Sequence, residues 1–239
     1  MSKTKILPVA ETHEVKPPLS EPMLEELRGR CPALSWLHME PGNVTNLPSA
    51  TLLPESLTHL TLRKSTWQPR WFKDCANHFT NLVYLDLTDT VRVDNHDMKD
   101  ITHFTKLHTL MLDNCYRLSE QGLQEIVKAL TLLTSLSLRG CDTSDLVVHH
   151  IGRHLTALQY LDLSGSKSLT ESCLPMLAGL AELEQLILNE CQNLTIKAFS
   201  VLCTSHSLRK VSLVLTESRI SEDDIAPWQN EMPKCTILI

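Results

Sequence analysis

Eight leucines, Leu34, Leu57, Leu82, Leu107, Leu133, Leu158, Leu183 and Leu208, follow one another at intervals of 23, 25, 25, 26, 25, 25 and 25 residues. A chance apolar pattern drifts, so seven near-equal intervals restrict the chain to an array of one small unit. In each copy the third and fifth residues after the leading leucine are apolar again, from Leu37 and Met39 to Val211 and Leu213. Residues 107–130, LHTLMLDNCYRLSEQGLQEIVKAL, show the whole unit. Leu107, Leu110 and Leu112, in L-x-x-L-x-L spacing, mark a short strand; Leu123, Ile126, Val127 and Leu130 have the three-and-four spacing of a helix. Such a unit cannot bury its apolar face alone and needs copies on both sides.

The expected fold is therefore α/β: a curved leucine-rich-repeat solenoid, or horseshoe. Parallel strands lie about 4.8 Å apart and packed helices about 8 to 10 Å apart, so the parallel sheet lines the concave side and the helices take the convex side. The eighth position after each leader is always small, being Cys115, Cys141 and Cys191 in three repeats and Ser65, Thr90, Ser166 and Thr216 in four. A thiol or hydroxyl there can hydrogen-bond backbone where the chain leaves the strand. Ser119, Thr170 and Thr195 are placed as helix N-caps.

Residues 1–19, with Pro8, Pro17 and Pro18 among polar residues, read as a flexible lead-in, and residues 20–239 as one repeat domain of about eight repeats plus a C-terminal cap. A helix from Ser20, with Met23, Leu24 and Leu27 on one face, would cover the open first repeat. Two repeats are irregular. Three prolines in PGNVTNLPSATLLPES predict an extended or short 3₁₀ return, and Trp67, Trp71 and Phe72 around Pro69 would wedge against that thinner neighbour. At the far end Ile225 and Trp228 fall on a helix, and Cys235 to Ile239 form a last strand.

Lys and Arg total 22 against 28 Asp and Glu, a net charge of -6, which argues against a general nucleic-acid binder. No apolar stretch is long enough for a signal peptide or a membrane span, so no membrane association is expected and the chain reads as cytoplasmic or nuclear. In that setting the Asn43 and Asn193 sequons stay unmodified and the eight cysteines stay thiols.

The Cys-type repeats LMLDNCYRLSEQGL and LILNECQNLT resemble those of the F-box/LRR-repeat proteins, substrate receptors of cullin-based ubiquitin ligases. The clusters RCPALSWLHM and RHLTALQYLDL and the helix-poor NVTNLPSATLLPESLTHLTL strengthen the likeness, which covers residues 20–239. The resemblance implies substrate recognition within an SCF-type ligase. It departs from the family before Ser20, where the residues are too few and too polar for an F-box, so Skp1 and a cullin are expected as partners only if an F-box is supplied outside this chain. The alternative is a free-standing repeat scaffold or assembly factor not linked to Skp1.

With the leucines pointing inward, alternate residues face the concave surface, about 38 Å long for eight strands. The second position after each leader carries Trp36, His59, Tyr84, Thr109, Ser135, Tyr160, Gln185 and Lys210. The fourth carries His38, Thr61, Asp86, Met111, Ser137, Asp162, Ile187 and Ser212, and the sixth Glu40, Arg63, Thr88, Asp113, Arg139, Ser164, Asn189 and Val214. Exposed aromatics beside charges have hot-spot composition, although aromatic and polar side chains also simply suit a pleated surface. The candidate protein-binding residues are thus Trp36, His38, His59, Arg63, Tyr84, Asp86, Met111, Asp113, Arg139, Tyr160, Asp162 and Asn189. Asp86, Asp89, Asp113, Asp162 and Glu190 outnumber Arg63, Lys64 and Arg139, which points to a protein partner with a basic segment.

No Gly-rich phosphate loop exists, and no cofactor, metal ion or catalytic group is expected. Cys115, Cys141 and Cys191 fall at buried repeat positions, where thiols are inert, and an enzyme using Cys or His is the remote alternative. His149, His150 and His154 lack the further ligands of a zinc site and read as a solvent-facing group on a convex helix. His78, His103 and His154 recur four residues before a leader, where imidazole can bond a terminal carbonyl.

Overall fold

A computed structural model of the chain describes residues 20–39, 49–195, 198–213 and 222–238. The expected lead-in over 1–19, the Asn43 sequon, and Glu40, Val214 and Thr216 lie outside the described residues. Helix α1 (Glu21–Arg30) is followed by strand β1 (Trp36–Met39), a 3₁₀ turn (Ala50–Leu52), β2 (His59–Leu62) and α2 (Trp71–His78). Then come β3 (Tyr84–Asp86), α3 (Asn95–Ile101), β4 (Thr109–Met111), α4 (Glu120–Ala129), β5 (Ser135–Ser137) and α5 (Asp145–His154). The array closes with β6 (Tyr160–Asp162), a 3₁₀ turn (Glu171–Cys173) running into α6 (Leu174–Ala178), β7 (Gln185–Ile187), α7 (Ala198–Leu202), β8 (Lys210–Ser212), α8 (Glu222–Glu231) and β9 (Thr236–Leu238). Among the described residues nine strands pair in parallel, in chain order, in one sheet. The chain is the curved α/β solenoid that the leucine spacing predicts.

The repeating leucines build one continuous core. From Leu57 onward every leader is buried, with Leu60, Leu85, Leu110, Leu136, Leu161 and Leu186 in the layer beside them. Leu34 is only half-buried, because β1 has a strand on one side alone. The helix α1 meets the 3₁₀ turn with Leu24 fully buried and Leu27 partly so, while Met23, expected on the same face, is exposed. Arg28 Nη1 ties α1 to that turn by donating to the Thr51 carbonyl at 2.8 Å. Trp67, Trp71 and Phe72 are all buried and meet edge to face around Phe72, with centroids 5.0 and 5.1 Å away, and α2 packs on the 3₁₀ turn of the thin repeat.

The small eighth residues do what their chemistry suggests. Thr90 Oγ1 donates to Leu62 O at 3.2 Å, and the thiols of Cys115, Cys141 and Cys191 donate to the carbonyls of Leu87, Leu112 and Leu163 at 3.3, 3.0 and 3.4 Å. Each bond crosses to the fifth position of the preceding repeat, stitching neighbours together where their strands end. Ser65 and Ser166 differ: Ser65 bonds Arg63 O within its own repeat, and Ser166 accepts from the Thr143 amide.

The residue just before is left-handed in six consecutive repeats: Lys64, Asp89, Asn114, Gly140, Gly165 and Glu190 have φ of 52, 60, 59, 71, 76 and 59°. This turn swings the chain from sheet to helix layer, and residues with a Cβ accept its cost of roughly 1 kcal/mol to keep the repeat length constant.

The helix starts also join neighbours. Ser119 and Ser144 precede α4 and α5 without capping their own helices. Instead the first helical residue of one repeat holds the hydroxyl residue of the next. Asn95 Nδ2 donates to Ser119 Oγ at 2.7 Å, Ser144 donates to Glu120, Thr170 N–H donates to Asp145 at 2.8 Å, and Thr195 N–H donates to Glu171 at 3.1 Å. Thr170 also caps its own turn through the Ser172 amide. Of the recurring histidines, His78 Nε2 pairs with the Leu53 carbonyl at 2.7 Å and His103 Nδ1 with Asp100 O at 3.0 Å. His154 instead stacks on His150 at 5.8 Å; His150 is half-buried, with its Nδ1 enclosed, rather than fully solvent-facing.

Candidate functional site on the concave face

Parallel pairing without slippage aligns the second positions in one row across the sheet: Trp36 with His59, His59 with Tyr84, Tyr84 with Thr109, and so on to Lys210. At one end the row is a staircase of rings. Trp36 stacks on His59 with centroids 4.0 Å apart and planes 18° from parallel, and His59 on Tyr84 at 5.6 Å and 21°. Trp36 closes the staircase with 63% of its surface exposed, an unusual state for a large aromatic already held by a stacked neighbour. Burial lowers the His59 pKa, so the stack is between neutral rings at physiological pH.

Past Tyr84 the row drops to Thr109 and Ser135 and rises again at Tyr160. Two small residues on neighbouring strands thus stand between the tyrosines, with half-buried Met111 in the next row. Burial, with Asp162 and Asp113 adding to it, pushes the Tyr160 hydroxyl up to about 12, so it is a neutral donor.

The fourth-position row differs from the expectation that its aspartates face a partner. Asp86 is fully buried, and its Oδ2 accepts from Arg63 Nε and Nη2, each at 2.7 Å, and from the Tyr84 hydroxyl at 3.4 Å. Its Oδ1 takes the Thr88 amide at 3.0 Å. Asp162 is 6% exposed and accepts from the amide and hydroxyl of Ser164 at 2.8 and 2.5 Å. Both carboxylates lie on the concave side but are enclosed by the rows on either side.

In the sixth-position row Arg63 and Arg139 are exposed and Asp113 and Asn189 half-buried, with Asn189 accepting from Ser212 Oγ at 2.8 Å. Asp113 accepts from the Ser137 hydroxyl. Burial raises the Asp113 pKa against that bond, and the charges of Asp162 and Asp86 raise it further, so three carboxylates share one field in the middle of the sheet. His38 is exposed at the open end beside Trp36. Asp113 and Arg139 also line a hollow of about 330 Å³ with Thr88, Asn114, Gly140, Ser164, Gly165 and Glu190. Asn114, Gly140 and Gly165 escape the outward-row reading because they occupy the left-handed turn. Their residue types, Gly and Asn at one repeat position, are the signal that marks them.

The parallel sheet of the described residues, one short strand per repeat of about 25 residues and a helical or 3₁₀ return between strands, defines a leucine-rich-repeat solenoid. Solved structures share this fold, and two of them serve for comparison. The chain superposes on a chain of the yeast Rad7 and Elc1 complex with a TM-score of 0.58 and 14% identity, over 92% of its own length and 64% of that chain. It superposes on internalin C2 from Listeria monocytogenes with a TM-score of 0.55 and 17% identity, over 92% of its length and 83% of that chain. The chain thus spans less than two thirds of the Rad7 and Elc1 complex chain it matches. No protein-family model and no curated protein matches the sequence. Among the described residues no helix is long and apolar enough to cross a membrane, and no cluster of three or more His, Cys, Asp or Glu side chains is disposed to hold a metal ion.

Proposed function

We propose that the chain is a non-enzymatic binding array whose concave face holds a protein partner, and that it serves as the substrate-recognition part of an SCF-type ubiquitin-ligase receptor. The exposed Trp36, at the end of the ring stack that runs through His59 to Tyr84, carries the reading. Rigid exposed aromatic anchors are where binding energy concentrates. The link to ubiquitin transfer rests on the sequence resemblance to F-box/LRR-repeat proteins, the twelfth member of that family in particular, and Skp1 and a cullin join only through an F-box outside this chain. The site of action is cytoplasmic or nuclear. A basic segment of the partner is favoured by the shared field of Asp86, Asp113 and Asp162, and Asp113 is the carboxylate open enough to meet it.

Quantitative affinity purification tests this with the full chain, a Trp36→Ala/Tyr84→Ala/Tyr160→Ala variant and a Leu146→Ala control on the convex α5. Proteins that depend on the concave aromatics should fall away from the triple variant and stay with the control. Equal recovery from all three would remove the concave face as the binding surface. Skp1 and a cullin recovered with the full chain would contradict the free-standing scaffold, and their absence would leave that scaffold standing in place of the ligase receptor.

A further inference from the structure

Within the ring staircase of the concave face, the preceding repeat decides where one imidazole carries its proton. His59 stands between Trp36 and Tyr84, with ring centroids 4.0 and 5.6 Å away and planes 18 and 21° from parallel. Its Nδ1 lies 2.9 Å from the Thr58 hydroxyl oxygen, and that hydroxyl donates to the Ser35 carbonyl, just before β1, at 3.0 Å. A hydroxyl has one proton, and a carbonyl can only accept. The bond to Ser35 therefore uses the proton and leaves Thr58 Oγ1 to accept from the imidazole, which fixes an N–H at Nδ1. Burial lowers the His59 pKa, so at physiological pH the ring is neutral and Nε2 is a bare acceptor.

The Thr58 bond belongs to the array rather than to the histidine. Thr58 and Thr134 both follow a leading leucine, and Thr134 Oγ1 donates in the same way to the His108 carbonyl of the repeat before, at 3.2 Å, with Ser135 and no imidazole next to it. Nε2 itself lies across the ring from Nδ1 and takes part in no hydrogen bond among the described residues. The buried side-chain polar atom left without a partner among those residues is His150 Nδ1, so His59 Nε2 is not closed off from the concave space. Trp36 and Tyr84 cover the two faces of the ring, and a partner group reaches Nε2 along the ring plane. The surroundings favour an uncharged donor there. Arg63, just past β2, has Nε and Nη2 on Asp86 at 2.7 Å, so these two charges beside the stack cancel. Asp113 and Asp162 are two and four strands away, about 10 and 19 Å across the sheet. A charged side chain would give up its water to meet a neutral imidazole, whereas a planar carboxamide loses less and can meet the ring edge-on.

We propose that His59 Nε2 is a specificity-determining acceptor of the concave face, taking the N–H of an Asn or Gln side chain of the protein partner, and that Thr58 is the positioning residue that keeps this nitrogen free of a proton. The inference rests on the concave face being the binding surface and adds a selection that apolar ring edges cannot make. A partner group that covers Nε2 without a donor strips the atom of water and leaves it unpaired, which counts against that partner.

Two measurements on the full chain test this. Long-range ¹H–¹⁵N NMR at pH 7.5 reads the protonation of each imidazole nitrogen: His59 should be neutral with its proton on Nδ1, and Thr58→Val should move the proton toward Nε2. Fluorescence anisotropy then compares labelled libraries of nine-residue peptides whose central residue is Gln, Met or Lys, where Met matches the length of Gln without an N–H and Lys supplies a charged donor. The native chain should hold the Gln library about tenfold more tightly than the other two. His59→Phe keeps a flat ring between Trp36 and Tyr84 without a nitrogen and should lose the preference; His59→Gln keeps an acceptor at similar reach and should retain part of it. Circular dichroism of both variants, expected to be unchanged, separates loss of the acceptor from loss of the fold. The Trp36→Ala/Tyr84→Ala/Tyr160→Ala chain keeps the two readings apart. Native-like binding of the libraries by that chain would remove the concave face as the binding surface, whereas loss of binding there with a Gln preference that survives His59→Phe would sink the His59 assignment alone. A proton on Nε2 in the native chain, no preference for Gln over Met, or a preference for Lys would also overturn it.

Discussion

Arg63 donates through both Nε and Nη2 to a single oxygen of Asp86, each at 2.7 Å, and the carboxylate receiving them has no exposure to solvent. The pair joins the sixth position of one repeat to the fourth of the next, and Asp86 raises the pKa of the guanidinium in return. Removing Arg63 leaves a buried charge with only the Thr88 amide and the Tyr84 hydroxyl. Arg63→Ala should therefore destabilise the array by about 2 kcal/mol, discounted from the fully buried case because half of Arg63 is in water. Asp86→Asn, which keeps an acceptor and removes the charge, should cost less. Urea unfolding of both variants decides this, and an unshifted midpoint for Arg63→Ala would show that the carboxylate relaxes to solvent.

Asp97 makes stability depend on pH in an unusual direction. Burial pushes its pKa up to about 6 against the bonds from the Asp94 amide and Trp67. The native state then binds more protons than the unfolded chain between the ordinary aspartate range and about 6. The contribution of Asp97 to stability therefore falls as pH rises through that window, by roughly 2 to 3 kcal/mol in all. Relative to the native chain, Asp97→Asn should gain stability on going from pH 4.5 to 7. Denaturation midpoints of the two chains at both pH values give the difference, and parallel pH profiles would rule the effect out.

The thiols divide sharply by environment. Burial pushes Cys75, Cys115 and Cys173 far up, Cys141 to about 12, and Cys191 and the half-buried Cys203 to about 11, while Cys31 is exposed. A thiol reagent at pH 8 should modify Cys31 first in the folded chain and the buried set only on unfolding. Cys115→Ser should be nearly neutral, since a hydroxyl can keep the bond to Leu87 O just as Thr90 bonds Leu62 O, whereas Cys115→Ala should cost about 1 kcal/mol. Peptide mapping after brief alkylation and melting curves of the two variants check both statements.

Gly140 meets two constraints at once. Its φ is 71°, and a Cβ there would come 2.5 Å from Asn114 Oδ1, whose own amide nitrogen holds Asp89 at 2.7 Å. Gly140→Ala should lower stability by about 1 to 2 kcal/mol. The same change at Gly165, where the nearest foreign atoms lie 3.6 Å away, should carry the backbone cost alone. A melting comparison tests the order, and equal losses would mean that Asn114 swings aside freely.

The solenoid was legible because burial is periodic. Leu107, Leu110 and Leu112 face inward in every environment the repeat can adopt, and the small eighth residues mark the strand exit by chemistry that needs no neighbour to be inferred. The aromatic positions of the concave row could be placed from the same alternation, and Trp36, His59 and Tyr84 do share one row. What alternation could not show is height. Asp86 and Asp162 have outward register like Trp36, yet both are buried, because the one is held by Arg63 and the Thr88 amide and the other by the amide and hydroxyl of Ser164.

The helix starts make the same point. Ser119 and Ser144 have the composition of N-caps, but their hydroxyls are taken by Asn95 and Glu120 of the repeat before, a contact that exists only once two repeats are stacked. A cleft of about 820 Å³ depends on stacking still more, since Arg70, Arg92 and Arg117, which line it, come from three successive repeats. Sequence by itself determined the repeat, its inward leucines and the order of its strands, all set by local spacing and the need to bury apolar surface. Tertiary structure decided which outward residues reach solvent and which charges stay unpaired, because those depend on side-chain lengths and hydrogen-bond partners in neighbouring repeats about 25 residues away.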